Sequence, residues 1–278
     1  MNSGLLFGLI IAHLLSDFVL QDQNLLDERF STKLESLLFG NLKHTAIYLV
    51  LSLIVLGYYL FTPWVLLPAA ILFVSHLAVD IGKSFIIKRR PSSKYSILLF
   101  LADQLIHGIV IFITAYFVSG KLHFPGFVIL IDNKVNDFIK SFIVTPHQKN
   151  LLAVILLIVG LWGVGVFINL FVNRMKIGPY KRALNSKMIF LDSDNGNGIP
   201  KGGFLIGILE RLIIIFAVAF NMISVIGFLI TVKSIARFKK FDDDKFVEYF
   251  IIGSFISLIS AVFIGIMIRQ LNIFPLLK

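Results

Sequence analysis

The chain has 278 residues, of which 57% are hydrophobic and only 15% charged, and its mean hydropathy is +0.89. A soluble domain of this length needs far more polar surface to cover its core, so composition excludes one and points to the bilayer as solvent. The net charge of +10 does not indicate nucleic acid, because the basic residues sit in short segments between apolar runs, where they fit the positive-inside rule and anionic headgroups.

Apolar stretches of spanning length predict helices over residues 4–22, 37–61, 64–87, 96–118, 151–172, 204–219, 220–237 and 246–268. The first has no basic n-region and no small-residue cleavage site, and it carries His13 and Asp17, so it reads as a retained transmembrane helix rather than a signal peptide. The sixth and seventh form one apolar stretch broken near Asn221, either a tight hairpin or a partly re-entrant pair. The expected fold class is all-α, a polytopic transmembrane helical bundle of about eight spans, with seven or nine as the alternatives.

The basic clusters set the expected orientation. Lys88-Arg89-Arg90 and Lys94, then Arg174, Lys176, Lys181, Arg182 and Lys187, then Lys233, Arg237, Lys239 and Lys240 all fall on one face of an eight-span chain. The positive-inside rule makes that face cytoplasmic and both termini extracytoplasmic. The chain divides into a His/Asp-containing four-helix membrane domain (1–118), an extracytoplasmic segment (119–150) and a C-terminal helical membrane domain (151–278). In the middle segment Val135, Phe138, Ile139, Phe142 and Ile143 recur at helical spacing and predict a short amphipathic helix on the outer surface.

The chemistry-bearing residues concentrate in the first four spans. His13, Asp17 and Gln21 lie at i, i+4 and i+8, on one helix face; His76, Asp80 and Lys83 repeat the pattern at i, i+4 and i+7. Asp103, Gln104 and His107 carry the same pair in reverse order, and His44 stands alone on the second span. Antiparallel helices require that reversal if the pairs are to meet at matching depth, roughly 8 to 16 Å below the cytoplasmic surface at 1.5 Å per residue. Cysteine is absent, so there are no disulfides, thiolate ligands or cysteine nucleophile, and imidazole and carboxylate are what remains to hold a metal.

Such donors suit a divalent ion, Zn²⁺ first, with Mn²⁺ or Fe²⁺ as alternatives. His13, Asp17, His76, Asp80, Asp103 and His107 are the candidate ligands or their orienting partners, and His44 a ligand or general base. Lys83 is placed to neutralise a phosphate, with Gln104 or Gln21 to orient it. A membrane His/Asp network also serves as a proton or ion pathway, or simply as a packing device.

A second polar set lies in the C-terminal half: Glu210, Arg211, Lys233 and Arg237, with Glu248 and Tyr249 opening the last span. These residues form an ion-pair belt or grip a lipid phosphate beside the first cluster. The run Asp192-Ser-Asp194-Asn-Gly196-Asn-Gly198 has calcium-loop residues, but it places Gly196 and Asn197 where a loop of that kind needs a ligand and a glycine, and Gly203 where it needs glutamate.

The run His13–Gln21, the lone His44, His76–Lys83 and Asp103-Gln-Leu-Ile-His107 resemble a bacterial membrane family known as domain of unknown function 3307. The later run Gly207-Ile-Leu-Glu210-Arg211, with Lys233-Ser-Ile-Ala-Arg237-Phe238 and Glu248-Tyr249, is similar to the C-terminal part of its longer members. That resemblance implies a multi-pass protein of the bacterial inner membrane and no activity. The His/Asp layout is also loosely similar to membrane-bound metal-dependent hydrolases.

The leading expectation is therefore a metal-dependent hydrolase or transferase acting on a lipid or lipid-phosphate substrate at the cytoplasmic leaflet, with membrane lipids as its surroundings. Its alternatives are a metal-ion or proton-coupled transporter and a non-catalytic membrane subunit. The outer halves of the first four spans read as almost wholly apolar, which counts against a pore.

Overall fold

The computed structural model describes residues 3–60, 65–89, 96–119, 145–175, 202–238, 241–242 and 244–273, and it is helical with no strand among them. The expected amphipathic helix around 135–143 and the loop at 192–198 lie outside the described residues.

Helix α1 (Ser3–Leu14) continues through a π-helical turn, Leu15–Val19, and the chain then bends by 93° into the short α2 (Gln23–Arg29). Asp22 caps α2, its carboxylate accepting from Leu25 N at 2.8 Å. Three long helices follow: α3 (Leu34–Leu60), α4 (Leu66–Arg89) and α5 (Ser96–Ser119). Helix α6 (Pro146–Ile158) opens on a Thr145/Gln148 capping box and passes through a second π-helical turn, Val159–Gly163, into α7 (Val164–Met175). Helices α8 (Gly202–Ala219), α9 (Ser224–Arg237) and α10 (Asp244–Gln270) complete the chain.

Among the described residues six helices are long and apolar enough to cross a membrane, or seven if the bent pair of α1 and α2 counts as one span. The difference from the expected eight lies in the 220–237 segment. Asn221 adopts a left-handed turn with φ of 61°, and α9 has 14 residues, about 21 Å of helix against a hydrocarbon core of about 30 Å.

Burial departs from that of a soluble bundle in where polar residues and large exposed apolar residues lie. On α3 the buried face carries Asn41, His44, Thr45, Tyr48 and Ser52, while Phe39, Leu42, Val50 and Ile54 point outward. Polar groups turned inward and large apolar groups turned outward are what a hydrocarbon solvent demands.

Close approach sets the register. A Cβ at Gly4 would lie 2.5 Å from Tyr59 Oη, and one at Gly8 would lie 2.8 Å from Val55 Cγ1, so α1 and α3 run antiparallel in near contact. One apolar core joins α1, α3, α4 and α5 through Leu5, Leu9, Leu56, Leu72 and Ile111. A second joins the turn at Leu161 to α8 and α10 through Ile215, Val218, Ala261 and Ile264. Helices α8 and α10 run parallel: Arg211 faces Ser257, Val218 faces Gly265, and Asn221 accepts from Arg269 at 3.1 Å.

Candidate metal centre

The antiparallel order of α1, α3, α4 and α5 brings all seven of the expected His and Asp residues of the first bundle into one cluster. His44 and Asp80 are fully buried, and His13, His76, Asp103 and His107 nearly so. The π-helical turn at Leu15–Val19 widens the helix around Asp17 and presents its carboxylate to α3 and α4.

Asp17 Oδ1 lies 3.2 Å from His44 Nε2 and 3.7 Å from His76 Nε2, and the two imidazole nitrogens face each other at 3.3 Å. Asp80 Oδ2 faces the same pair from its other side, 3.5 Å from His44 Nε2 and 3.4 Å from His76 Nε2. His107 Nε2 sits between two carboxylates, 3.5 Å from Asp103 Oδ1 and 3.8 Å from Asp80 Oδ1. His13 Nδ1 is 3.6 Å from Asp17 Oδ1, beyond hydrogen-bond reach, and neither of its ring nitrogens has a hydrogen-bond partner among the described residues.

Two cations bound this cluster. Lys83 Nζ holds Asp103 Oδ2 at 2.7 Å, and Arg29 Nη2 holds Asp80 Oδ1 at 2.8 Å. Each takes one carboxylate oxygen and leaves the other for the interior, as outer partners of metal ligands do. Gln104 Nε2 donates to Asp17 Oδ2 at 3.1 Å and to Asp103 Oδ2 at 3.2 Å, joining the two carboxylates at the half-buried rim.

Sequence reasoning missed Arg29, Asn41 and Ser84. Arg29 sits between the first two spans, in a stretch that reads as a polar link, yet it reaches the buried Asp80 because α2 folds back over the end of the bundle. Its Nε donates to Asn41 Oδ1 at 3.1 Å, and Asn41 Nδ2 donates to Leu37 O at 2.8 Å and Ser84 Oγ at 3.1 Å. The signal available was local: Asp22 as a cap, followed by Leu25, Leu26 and Arg29 at helical spacing.

Gln21 has a different place from the expected one. With its amide turned to satisfy both neighbours, it donates to Asp17 O at 3.0 Å and accepts from Arg29 Nη1, so it anchors α2. The C-terminal polar set is also engaged away from the cluster. Lys233 Nζ pairs with Glu210 Oε2 at 2.6 Å, and Arg211 Nη2 donates to Leu161 O at 2.5 Å, a carbonyl in the second π-helical turn. No contact joins Glu210, Arg211 or Lys233 to the His/Asp cluster among the described residues, and Arg237 ends α9.

Residues 5–130 match the model of a family described as a protein of unknown function, DUF3307. The N-terminal bundle resembles that family. The match spans every His and Asp of the cluster together with Arg29, Lys83 and Gln104, and it ends before α6. No curated protein and no solved structure matches the chain, so the likeness to metal-dependent hydrolases rests on residue types alone.

Among the described residues three overlapping sets have ligand atoms close enough to share an ion: His13, His76 and His107; Asp17, His44 and His76; and Asp17, Asp103 and His107, each with all atoms within 4.8 Å of one another. The donor chemistry fits a borderline divalent ion, since imidazole nitrogens and carboxylate oxygens converge with few hydrogen-bond donors among them.

Proposed function

We propose that the N-terminal bundle binds a divalent metal, Zn²⁺ before Mn²⁺ or Fe²⁺, and uses it to hydrolyse or transfer a group on a lipid-phosphate substrate at the cytoplasmic leaflet. The observation that carries the metal reading is the triangle of Asp17 Oδ1, His44 Nε2 and His76 Nε2. Its sides of 3.2, 3.3 and 3.7 Å bracket roughly 3.3 Å, the edge of a tetrahedron whose bonds to the ion are about 2.0–2.1 Å. This triangle favours His44 as a ligand over His44 as a general base.

A bound ion of this kind polarises a phosphoryl oxygen and acidifies water at neutral pH. The chain's own residues supply the rest. Lys83 and Gln104 are the half-buried groups on the side where the cluster approaches the surface, and there they meet a phosphate. Arg29 and Lys83 fix Asp80 and Asp103 so that their inner oxygens stay directed at the ion. The cluster lies about two to three turns from the helix ends that carry Lys88 and Arg89, a depth of roughly 15 Å, so a phosphate reaches it only by entering between the helices.

Topology supports the same side. Parallel α8 and α10 need a return path between them, and α9 supplies it, with Lys233 back at the level of Glu210. Counted this way the chain makes eight traverses, α9 being a short peripheral one. Tyr59, ending α3, meets both Gly4 and His147, so α1 and α6 start at one end of the bundle. Both termini then lie at the extracytoplasmic end of an inner-membrane protein.

A second reading, proton or ion transport, gains one observation. Tyr48 and Ser52 follow His44 on α3 by one and two turns, and Thr114 follows His107 on α5; all three hydroxyls are buried. The outer half of the bundle is therefore less apolar than its sequence reads.

Elemental mass spectrometry of the purified protein tests the first reading, with Asp80→Ala and His44→Ala beside the wild type. Near-stoichiometric Zn, Mn or Fe that is lost in both variants, followed by phosphate release from a lipid-phosphate panel, is the expected result. Wild-type protein purified without chelator that carries no metal, with both variants folded, removes the hydrolase reading. Proton uptake by proteoliposomes that Tyr48→Phe and Ser52→Ala abolish transfers the cluster to transport.

A further inference from the structure

The geometry points to two divalent ions in this cluster, bridged by Asp17. The inference rests on the reading that the cluster binds metal at all, and it adds the number of ions and the kind of ligand they recruit. It starts from the fact that two of the three-residue sets, Asp17 with His44 and His76 and Asp17 with Asp103 and His107, share only Asp17.

The two oxygens of Asp17 face different ways. Oδ1 is directed at His44 and His76, at 3.2 and 3.7 Å. Oδ2 accepts from Gln104 Nε2, which also donates to Asp103 Oδ2, so this oxygen is turned towards Asp103. Asp80 flanks the first site from the opposite side, with Oδ2 towards His44 and His76, while its Oδ1 is held by Arg29 at 2.8 Å. A carboxylate that straddles two histidine-bearing sites, as Asp17 does, makes the frame of a binuclear centre, whose ions sit about 3.5–4 Å apart.

The second locus has its own unmet atoms. His107 Nε2 and Asp103 Oδ1 are buried, 3.5 Å apart, and neither has a hydrogen-bond partner among the described residues. One ion at Asp17, His44 and His76 leaves this pair unsatisfied, and buried polar groups without partners are costly. His13, whose ring nitrogens are also unpartnered, belongs to a set with both His76 and His107 and so completes either locus.

Charge ranks the two ions. Asp17, Asp80 and Asp103 oppose the fixed cations Arg29 and Lys83, which leaves one negative charge when the histidines are neutral. A first divalent ion turns this into one positive charge, and a second raises it to three. In a buried site that excess needs an anion, so the second ion binds more weakly than the first and together with an oxyanion such as phosphate. A phosphate group bridging two cations is also what the two-ion arrangement offers a phosphoryl substrate.

The experiment is a Mn²⁺ titration of the full-length protein in detergent, followed by EPR, with and without inorganic phosphate. Two ions per chain are expected, the second tightened at least tenfold by phosphate, with the broadened spectrum of an exchange-coupled pair. Asp103→Asn, which keeps the side chain's shape, is expected to hold one uncoupled ion. His107→Gln is expected to do the same. Wild-type protein that saturates at one uncoupled ion even with phosphate overturns the two-ion inference and leaves the single-metal reading standing. So does an Asp103→Asn variant that keeps a coupled pair. A wild type that takes up no Mn²⁺, Zn²⁺ or Fe²⁺ overturns both.

Discussion

Asp80 has its two oxygens in different company, one on the Arg29 guanidinium and one facing His44 and His76, and both it and Arg29 are almost fully buried. Removing Arg29 leaves a buried carboxylate without its cation, and breaking such a pair costs about 3–5 kcal/mol. Arg29→Met is therefore expected to destabilise the metal-free protein by about that amount and to weaken metal affinity about 10- to 100-fold, as loss of an outer partner does. Because the variant binds the ion more weakly and so gains less from it, the stability loss is expected to grow, by about 1.4–2.8 kcal/mol, when saturating Zn²⁺ is added. Thermal unfolding with and without Zn²⁺ checks this, and an equal loss in both states would contradict the assignment of Asp80 to the ion. At this scale the sequence is informative where the helix period acts: His13 with Asp17, His76 with Asp80 and Asp103 with His107 are pairs one turn apart, and the fold brings them together. Arg29 and Asn41 escape because their partnership crosses a chain reversal that no local period records.

Helix α2 is seated on α3 at Gly40. A Cβ there would lie 2.6 Å from Arg29 N and 2.7 Å from Glu28 Cβ, and the atoms in the way are largely backbone, which cannot swing aside. Gly40→Val is expected to lift α2, separate Arg29 from Asp80 and reproduce the metal-affinity loss of Arg29→Met while leaving every ionisable residue in place. Gly57→Ala is the control: nothing lies within 4 Å of the added Cβ, and the gain in helix propensity is about 0.5–1 kcal/mol. Metal affinity by competition with a chromophoric chelator separates the two, and normal affinity in Gly40→Val would show that α2 does not position the site. At Gly165 a Cβ would instead meet side-chain ends, the Phe204 ring at 2.7 Å and the Arg211 guanidinium at 2.8 Å, which have rotamer freedom to move. Spans α3, α4 and α5 are legible because each is a long apolar run with polar residues on one side. The two π-helical turns are not, since a single inserted residue changes which side chains share a face without changing composition, and α2 is too short to announce itself by period.

Between its apolar cores the N-terminal bundle also buries a cluster of histidine and aspartate, and this has a consequence for stability. Four nearly or fully buried histidines and three carboxylates stand close together with, among the described residues, only Arg29 and Lys83 as fixed counter-charges, so the folded state without an ion retains unpaired acceptors that the unfolded chain can solvate. An ion that binds the folded bundle and not the unfolded chain stabilises it by mass action, about 2.7 kcal/mol at a hundredfold excess over its Kd. Chelator is therefore expected to lower the apparent unfolding temperature of the wild-type protein, and Zn²⁺ or Mn²⁺ to restore it, with the shift growing with the logarithm of free ion. The variant His44→Ala, which removes the residue facing both Asp17 and Asp80, is expected to unfold at the same temperature in chelator and in excess ion. A wild-type unfolding temperature that ignores chelator and added ion together would mean that these residues are held by hydrogen bonds and protons, and would move the cluster towards the proton route marked by Tyr48, Ser52 and Thr114.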